Sequence, residues 1–275
     1  MKAEGIAVVT GASRGIGRAV ALDLAAAGFE VVATMRSPEA GAALPAEARA
    51  RGGRLRVERL DVTEPGAISM PDGLRVLVNN AGVECEYLPV EHQPLAQWRE
   101  IFETNVFGLV EVTKRAIPKL RAAGGGVICN ITSSSYLAAV PFYSAYRASK
   151  VAAAALGEGL RAELAPFGIR IVEILPGPVE SDMLYGSERL PEAHRFPEYR
   201  EMAEHSFRAR EGIKGRYTPA AAAAEAIRRA ILDDDAPLRN ACDPMGEALL
   251  KAWRTSSDEE LMRRTLGDPK RYQKL

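Results

Sequence analysis

Short apolar runs rich in branched residues alternate with longer helical segments, and this alternation is what most constrains the fold. The runs cover residues 6–10, 30–35, 55–60, 75–79, 127–131 and 169–175. A first helical pattern ends near residue 27, and further helical patterns cover residues 38–50, 94–121 and 143–165. Strands separated by helices join through right-handed crossovers, which leave helices on both faces of a parallel sheet. The sequence therefore predicts an α/β fold with a doubly wound parallel sheet.

The last third of the chain departs from this alternation. Residues 181–216 mix proline, charged and aromatic residues without a clean strand, and we expect an inserted lid over an apolar substrate site. Thr218 is the expected N-cap of a helix that begins with Pro219. A last strand over residues 238–242 and a C-terminal helical extension after Asp243 are predicted to follow. No linker divides residues 1–275, so a single domain is expected.

Composition excludes several classes of function. Lys plus Arg and Asp plus Glu both number 36 among 275 residues, so charge gives no reason to expect a nucleic acid or an anionic membrane as partner. The three cysteines lie far apart and the three histidines lack ligand spacing, so neither a disulfide framework nor a metal site is expected. The sequence shows no secretory signal pattern and no apolar run of ~20 residues, which predicts a cytoplasmic location.

A glycine-rich turn follows the first apolar run and opens a helix. Residues 10–17 read Thr-Gly-Ala-Ser-Arg-Gly-Ile-Gly. Glycines let the backbone approach a ligand closely, and a helix N-terminus offers free N–H groups and a partial positive charge. This combination predicts a binding site for a pyrophosphate. A turn of this kind without a ligand is the structural alternative.

This turn resembles the cofactor turn of the short-chain dehydrogenase/reductase family. Further motifs follow in the family's order, and the likeness spans residues 5–182. They are Asp61-Val62, Asn79-Asn80-Ala81-Gly82, Asn105, Asn130-Ile131-Thr132-Ser133, Tyr146-x-x-x-Lys150 and Pro176-Gly177. The texture around residues 32–36 and 177–179 is similar to the hydroxysteroid and retinol dehydrogenase branch. The resemblance implies a Rossmann-type fold and a nicotinamide-dependent oxidoreductase.

The cofactor is expected to be NADP rather than NAD. The second strand ends in Arg36 with no acidic residue until Glu39, and Arg14 lies within the glycine-rich turn. Guanidinium groups bind a 2′-phosphate, whereas an acidic residue there would favour NAD. By resemblance Asp61 bonds the adenine, and Ser181 stands where the family usually has Thr. The expected cofactor-binding residues are Gly11, Ser13, Arg14, Gly15, Ile16, Gly17, Arg36, Asp61, Val62, Asn80, Ala81, Gly82, Tyr146, Lys150, Pro176, Gly177, Val179 and Ser181.

Tyr146 and Lys150 lie four residues apart and share one face of a helix. We expect the Lys150 ammonium to lower the pKa of Tyr146, so that Tyr146 transfers a proton. The family pattern assigns Ser133 to hold the substrate oxygen and Asn105 to support a water relay. Rival tyrosines are Tyr136 and Tyr143, neither with Lys four residues on, and rival serines are Ser134 and Ser135.

These residues predict an NADP(H)-dependent reductase of ketones, or dehydrogenase of alcohols, and the expected substrate is a small apolar molecule. Within enzymes the alternatives are a 3-oxoacyl thioester reductase and a sugar-alcohol dehydrogenase. An alternative from another class is a non-catalytic nicotinamide-binding sensor. By resemblance, the long helices over residues 94–121 and 143–165 are expected to build a homodimer or homotetramer.

Overall fold

The computed structural model describes residues 1–266 and has a central sheet of seven strands, all parallel. The strand order is β3-β2-β1-β4-β5-β6-β7. The chain adds β2 and β3 on one side of β1 and then β4 to β7 on the other, which confirms the doubly wound Rossmann-type fold. The strands are β1 (Ile6–Val9), β2 (Glu30–Met35), β3 (Arg54–Arg59), β4 (Leu74–Asn79), β5 (Gly126–Ile131), β6 (Ile169–Leu175) and β7 (Arg239–Ala241).

Ten α-helices accompany these strands in residues 1–266. They are α1 (Gly15–Ala27), α2 (Leu44–Ala50), α3 (Leu95–Phe102), α4 (Leu109–Ala122), α5 (Ser144–Leu164), α6 (Asp182–Gly186), α7 (Arg200–Glu211), α8 (Ala220–Leu232), α9 (Pro244–Thr255) and α10 (Asp258–Leu266). The helix predicted over residues 94–121 is α3 and α4, joined by a π-helical turn over Glu103–Gly108. Such turns are frequent at functional sites, because they rotate side chains out of the regular helical pattern.

Apolar side chains cover both faces of the sheet, as its strand pattern requires. Every residue of β5 is buried, and so are five of the six residues of β4. One core lies between the sheet and α1, α2 and α8, and the other lies between the sheet and α4 and α5. A strand buried on both faces has a nearly continuous apolar sequence, and this pattern made both strands predictable.

Two expectations about the connections, the cap of α8 and the C-terminal extension, need correction or refinement. Thr218 does not cap α8, because its N–H donates to Pro178 O at 2.9 Å and the residue pairs with Val179. Pro219 is therefore the N-cap, and α8 begins one residue later than predicted. The short connection after β3 contains a single 3-10 turn, Pro65–Ala67. The C-terminal extension consists of two helices rather than one, and residues 267–275 lie outside the described part.

The inserted segment over residues 181–216 contains α6, two 3-10 turns and α7. Its Ala193 and Ala203 are fully buried against Tyr87 and Phe142, so the segment packs on the loop that follows β4. Tyr87 N donates to Glu192 Oε2 at 2.8 Å and strengthens this contact. Whether the segment opens and closes as a lid stays a prediction. No helix within residues 1–266 is long and apolar enough to cross a membrane.

Candidate active site

One cleft of about 300 Å³ lies at the carboxyl ends of the central strands, where the winding of the sheet reverses. Ligands of doubly wound sheets bind at such a position. The cleft brings together every predicted site residue except Asn105. They are Gly11, Ser13, Arg14, Gly15, Ile16, Gly17, Arg36, Asp61, Val62, Asn80, Ala81, Gly82, Ser133, Tyr146, Lys150, Pro176, Gly177, Val179 and Ser181.

The glycine-rich turn presents an open helix N-terminus to this cleft. Gly11 and Gly15 adopt φ values of +64° and +56°, which side-chain-bearing residues rarely adopt. A Cβ at Gly17 would lie 2.5 Å from Gly11 O, so the close packing of the turn requires glycine there. No side chain caps α1, and its first turn contains no acidic residue. The free N–H groups and the missing carboxylate fit a pyrophosphate.

Asn80 ties this turn to the loop that follows β4. Its Nδ2 donates to Thr10 O at 3.0 Å and to Gly11 O at 3.1 Å. In return, Thr10 Oγ1 accepts from the backbone N–H groups of Asn80 and Ala81. Because the Asn80 side-chain amide forms these hydrogen bonds, it fixes the two loops relative to each other and shapes the floor of the cleft.

Two arginines and an aspartate border the end of the cleft next to β2 and β3. Arg36 is exposed, and no hydrogen bond or ion pair holds it within residues 1–266. Arg14 is also exposed and pairs with Asp182 at 3.4 Å. Asp61 Oδ1 accepts from Thr63 N–H and Oγ1. Burial raises the pKa of Asp61, but the Thr63 hydrogen bonds and the Arg36 charge outweigh it, so the pKa is lowered overall.

α5 carries Tyr146 and Lys150 on its buried face, at 5% and 6% exposure. Lys150 Nζ donates to Ile131 O at 3.0 Å, at the carboxyl end of β5. It lies 5.6 Å from the centroid of the Tyr146 ring. Burial lowers the pKa of Lys150 to about 8, because the interior disfavours its charged form.

The expectation of a lowered pKa for Tyr146 is wrong in its net direction. Burial raises the pKa of Tyr146 well above its usual value, and the negative charge of Glu84 adds to the rise. A hydrogen bond with Ser133 acts in the opposite direction but is weaker. Burial and the Glu84 charge both disfavour the phenolate, so Tyr146 holds its proton at neutral pH.

Among the rival residues, the structure separates those near the cleft from those outside it. Ser133 lines the cleft, while Ser134 and Ser135 do not. Ser133 Oγ hydrogen-bonds to Ser135 Oγ at 2.8 Å. Tyr136 lies outside the cleft, where its hydroxyl donates to the buried Glu173 at 2.8 Å.

Asn105 does not line the cleft but organises it from behind. It lies in the π-helical turn and is 2% exposed. Its Oδ1 accepts from Val83 N–H at 2.8 Å, and its Nδ2 donates to Val83 O at 2.9 Å and to Ser149 Oγ at 3.0 Å. These bonds join the loop after β4 to α5. The water relay that the resemblance implies stays a prediction.

The cleft also contains Glu84, which the sequence did not single out, and the rival tyrosine Tyr143. Tyr143 donates its hydroxyl proton to Glu84 Oε2 at 2.9 Å, and its ring centroid lies 4.7 Å from that of Tyr146. An acidic residue two positions after Gly82 was a visible signal, because the loop at a strand's carboxyl end faces the cleft. Tyr143 was a candidate only as a rival of Tyr146, without a lysine four residues on.

The turn after β6 is held by a buried aspartate from the C-terminal part of the chain. Asp243 caps α9 through Gly246 N–H at 2.8 Å and also accepts from Gly177 N–H at 2.6 Å. Ser181 caps α6 by accepting from Leu184 N–H at 3.2 Å, and its side chain lines the cleft. The extension thus fixes the Pro176-Gly177 backbone along one wall.

Comparison with known proteins adds independent support for this arrangement. The family model for short chain dehydrogenases matches residues 5–189, about two thirds of the chain. The chain belongs to the short-chain dehydrogenase family. An uncharacterized oxidoreductase of Bacillus subtilis, YusZ, is 41% identical over 181 residues, which make up 62% of this chain and 64% of that protein. The match therefore spans less than two thirds of the length of YusZ.

Two solved structures resemble this short-chain dehydrogenase over nearly its whole length. A short-chain dehydrogenase from Streptomyces avermitilis has a TM-score of 0.78 and 32% identity, covering 94% of this chain and 95% of its own. A short chain dehydrogenase from Burkholderia cenocepacia, in complex with NADP, has a TM-score of 0.75 and 26% identity, covering 97% and 99%. The narrower likeness to the hydroxysteroid and retinol branch stays a prediction.

The burial of Lys150 leads to a prediction about stability. With a pKa of about 8 in the folded protein and 10.5 in the unfolded chain, the charged lysine costs roughly 3 kcal/mol below pH 8. Between these values the unfolded state binds more protons, so this cost disappears as pH rises. Lys150→Met should therefore stabilise the purified protein at pH 7 by up to this amount, and the gain should shrink towards pH 10.

Urea unfolding of both proteins at pH 7 and pH 9.5, without added cofactor, measures this effect. Lys251→Met, at an exposed position of α9, is the matched control and should show no such pH dependence. A stability difference between wild type and Lys150→Met that is the same at both pH values would contradict the burial of a lysine with a lowered pKa.

Proposed function

We propose that this short-chain dehydrogenase transfers a hydride between NADP(H) and an alcohol or ketone. The observation that carries the proposal is the meeting of Ser133, Tyr146 and Lys150 in the same cleft as an uncapped helix N-terminus. One end of the cleft offers backbone N–H groups for a pyrophosphate, and the other offers a phenol and a hydroxyl for a substrate oxygen. A nicotinamide-binding sensor without activity would not require the phenol and the hydroxyl at the second end.

In this reaction, bound NADPH supplies the hydride that reaches the substrate carbon. The Tyr146 hydroxyl gives its proton to the substrate oxygen, as a general acid. The phenol is protonated at neutral pH, as a proton donor has to be. Ser133 donates a hydrogen bond to the same oxygen as charge develops. The Lys150 ammonium lies close enough to stabilise the phenolate that remains.

The preference for NADP rests on Arg36, with Arg14 in second place. Arg36 stands at the end of β2 and has no ion-pair partner within residues 1–266, so it is available for a 2′-phosphate. Arg14 already has Asp182 beside it, which reduces its attraction for an anion. The Burkholderia relative, in complex with NADP, supports the same choice.

The substrate end of the cleft combines apolar and polar walls. Met183 and Leu184 of α6 contribute apolar surface, and we propose that residues 181–216 cover the bound substrate. A cover of this kind excludes water from the reacting groups. Reduction of a 3-oxoacyl thioester or of a sugar carbonyl would use the same catalytic residues with other contacts along this wall.

We further propose that two or four copies assemble through α4 and α5. Phe107, beside the start of α4, is 55% exposed, and Val151 of α5 is 47% exposed. Phe107→Glu together with Val151→Glu should therefore lower the molar mass measured by light scattering to that of one chain, because a buried carboxylate pair is unfavourable. Val90→Glu, at a position 59% exposed on another loop, is the control and should keep the wild-type mass. A wild-type mass for the double variant would contradict this interface.

A panel of ketones and aldehydes tests the proposed function directly. Oxidation of NADPH and of NADH is followed in parallel by nicotinamide absorbance, with apolar ketones, 3-oxoacyl thioesters and sugar carbonyls as substrates. We expect oxidation of NADPH by at least one class, faster than that of NADH. Tight binding of NADPH without oxidation by any class would favour the sensor.

A further inference from the structure

Glu84 introduces a negative charge into a cleft whose proposed chemistry does not need one. Its side chain is half-buried and lines the same cleft as Ser133 and Tyr146. Its Oε2 accepts from Tyr87 Oη at 3.0 Å and from Tyr143 Oη at 2.9 Å. These two phenols fix the carboxylate in place, and Tyr143 stacks beside the catalytic Tyr146 at 4.7 Å.

No basic group within residues 1–266 forms an ion pair with Glu84. Two arginines approach this region, but both lie over the Tyr87 ring and donate elsewhere. Arg189 donates to Glu192 Oε1 at 2.9 Å, and Arg210 donates to Ser187 O at 2.7 Å. Glu84 therefore has two neutral donors on one oxygen and no cation in direct contact. The charges of Arg189 and Arg210 act on it from a distance and lower its pKa, but burial outweighs them and the pKa is raised overall. A ligand cation in direct contact would stabilise the ionised carboxylate further.

We propose that Glu84 is a specificity-determining residue that binds an ammonium group of the substrate. The proposal rests on the proposed function and names its substrate class: a carbonyl compound, or its alcohol, with a protonated amine a few bonds from the reacting carbon. A hydroxyl would also donate to the free Oε1, but it would leave the charge uncompensated. The cation is therefore the better complement.

A bound ammonium would also assist the catalytic group. The charge of Glu84 contributes to the raised pKa of Tyr146, after burial. A cation on Glu84 offsets that charge and makes it easier for Tyr146 to release its proton. Substrate binding and proton transfer would thus be coupled through Tyr143 and Glu84.

The test compares four ketones with one carbon skeleton, whose far end carries a methyl, a hydroxyl, an ammonium or a carboxylate group. We expect wild-type kcat/KM to be highest for the amino ketone and lowest for the keto acid. In Glu84→Gln the ratio of kcat/KM for the amino ketone to that for the methyl ketone should fall roughly 10- to 100-fold, the loss of one charge-assisted contact. The loss should lie mainly in KM.

Glu86→Gln is the matched control, because Glu86 is exposed and lies outside the cleft, where it accepts from Gln97 at 3.2 Å. Its substrate ratio should equal that of wild type. If the methyl ketone is reduced and the ratio is the same in Glu84→Gln as in wild type, this inference fails while the proposed function stands.

Calorimetry with the amino alcohol in the presence of NADPH provides a measurement without turnover, because both compounds are already in their reduced forms. We expect its affinity to be at least tenfold weaker for Glu84→Gln than for wild type or Glu86→Gln. Equal affinities for wild type and Glu84→Gln would overturn the assignment of Glu84, whatever the outcome of the kinetic assays.

Discussion

Tyr146→Phe is expected to lower turnover at least ~10²-fold, the lower end of what a positioned general acid contributes. The substitution removes only the hydroxyl, and the ring keeps its stacking on Tyr143 and its place beneath Lys150. The substrate oxygen then has no proton donor, and Ser133 alone does not replace it. Single-turnover oxidation of NADPH by the best ketone of the panel measures the loss.

Tyr136→Phe is the control for Tyr146→Phe, because Tyr136 was the rival whose hydroxyl faces Glu173 outside the cleft. It should keep turnover within a few-fold of wild type, since it removes a structural hydrogen bond worth about 1 kcal/mol. Quenching of protein fluorescence by NADPH should be similar in all three proteins. Wild-type turnover in Tyr146→Phe would refute the assignment of the proton donor.

Arg36→Asp is expected to change the ratio of kcat/KM for NADPH over that for NADH by roughly 10²-fold in favour of NADH. A charge-assisted contact worth about 2 kcal/mol is lost, and repulsion of the 2′-phosphate is added. The new carboxylate also lies near Asp61, whose pKa already responds to the Arg36 charge. The repulsion between Asp61 and the new carboxylate is present with either cofactor. The ratio of the two kcat/KM values therefore isolates the contribution of the phosphate.

Two further variants complete the test of Arg36. Arg36→Gln removes the charge without reversing it and should give an intermediate ratio. Arg49→Asp, at an exposed site on α2 outside the cleft, should keep the wild-type ratio. If Arg36→Asp also keeps the wild-type ratio, Arg36 does not contact the phosphate, and the proposed preference for NADP loses its support.

The parts of this protein that the sequence could predict are those fixed by local patterns. Mostly apolar runs predict the buried strands β4 and β5, because a strand covered on both faces carries few polar residues. The glycine-rich turn was recognisable because positive φ at Gly11 and Gly15 restricts the residue type. The four-residue spacing of Tyr146 and Lys150 is likewise set by helix geometry.

Properties that depend on the whole fold could not be predicted. The raised pKa of Tyr146 results from the water excluded by every element packed around it, which spacing to Lys150 does not reveal. The sequence did not reveal that the π-helical turn joins Asn105 to Val83 and Ser149. The hydrogen bond between Glu84 and Tyr143 results from the tertiary fold, so the sequence alone did not predict it.

Deuterium transfer from NADPH to the product is the decisive measurement of hydride transfer assisted by Tyr146. Wild-type protein is incubated with NADPH that carries deuterium at both C4 positions and with the most reactive carbonyl compound, and the alcohol is analysed by mass spectrometry. We expect one deuterium on the former carbonyl carbon, at a rate that Tyr146→Phe reduces at least ~10²-fold. Unlabelled alcohol, or labelling at the same rate in Tyr146→Phe, would contradict hydride transfer assisted by Tyr146 in this cleft.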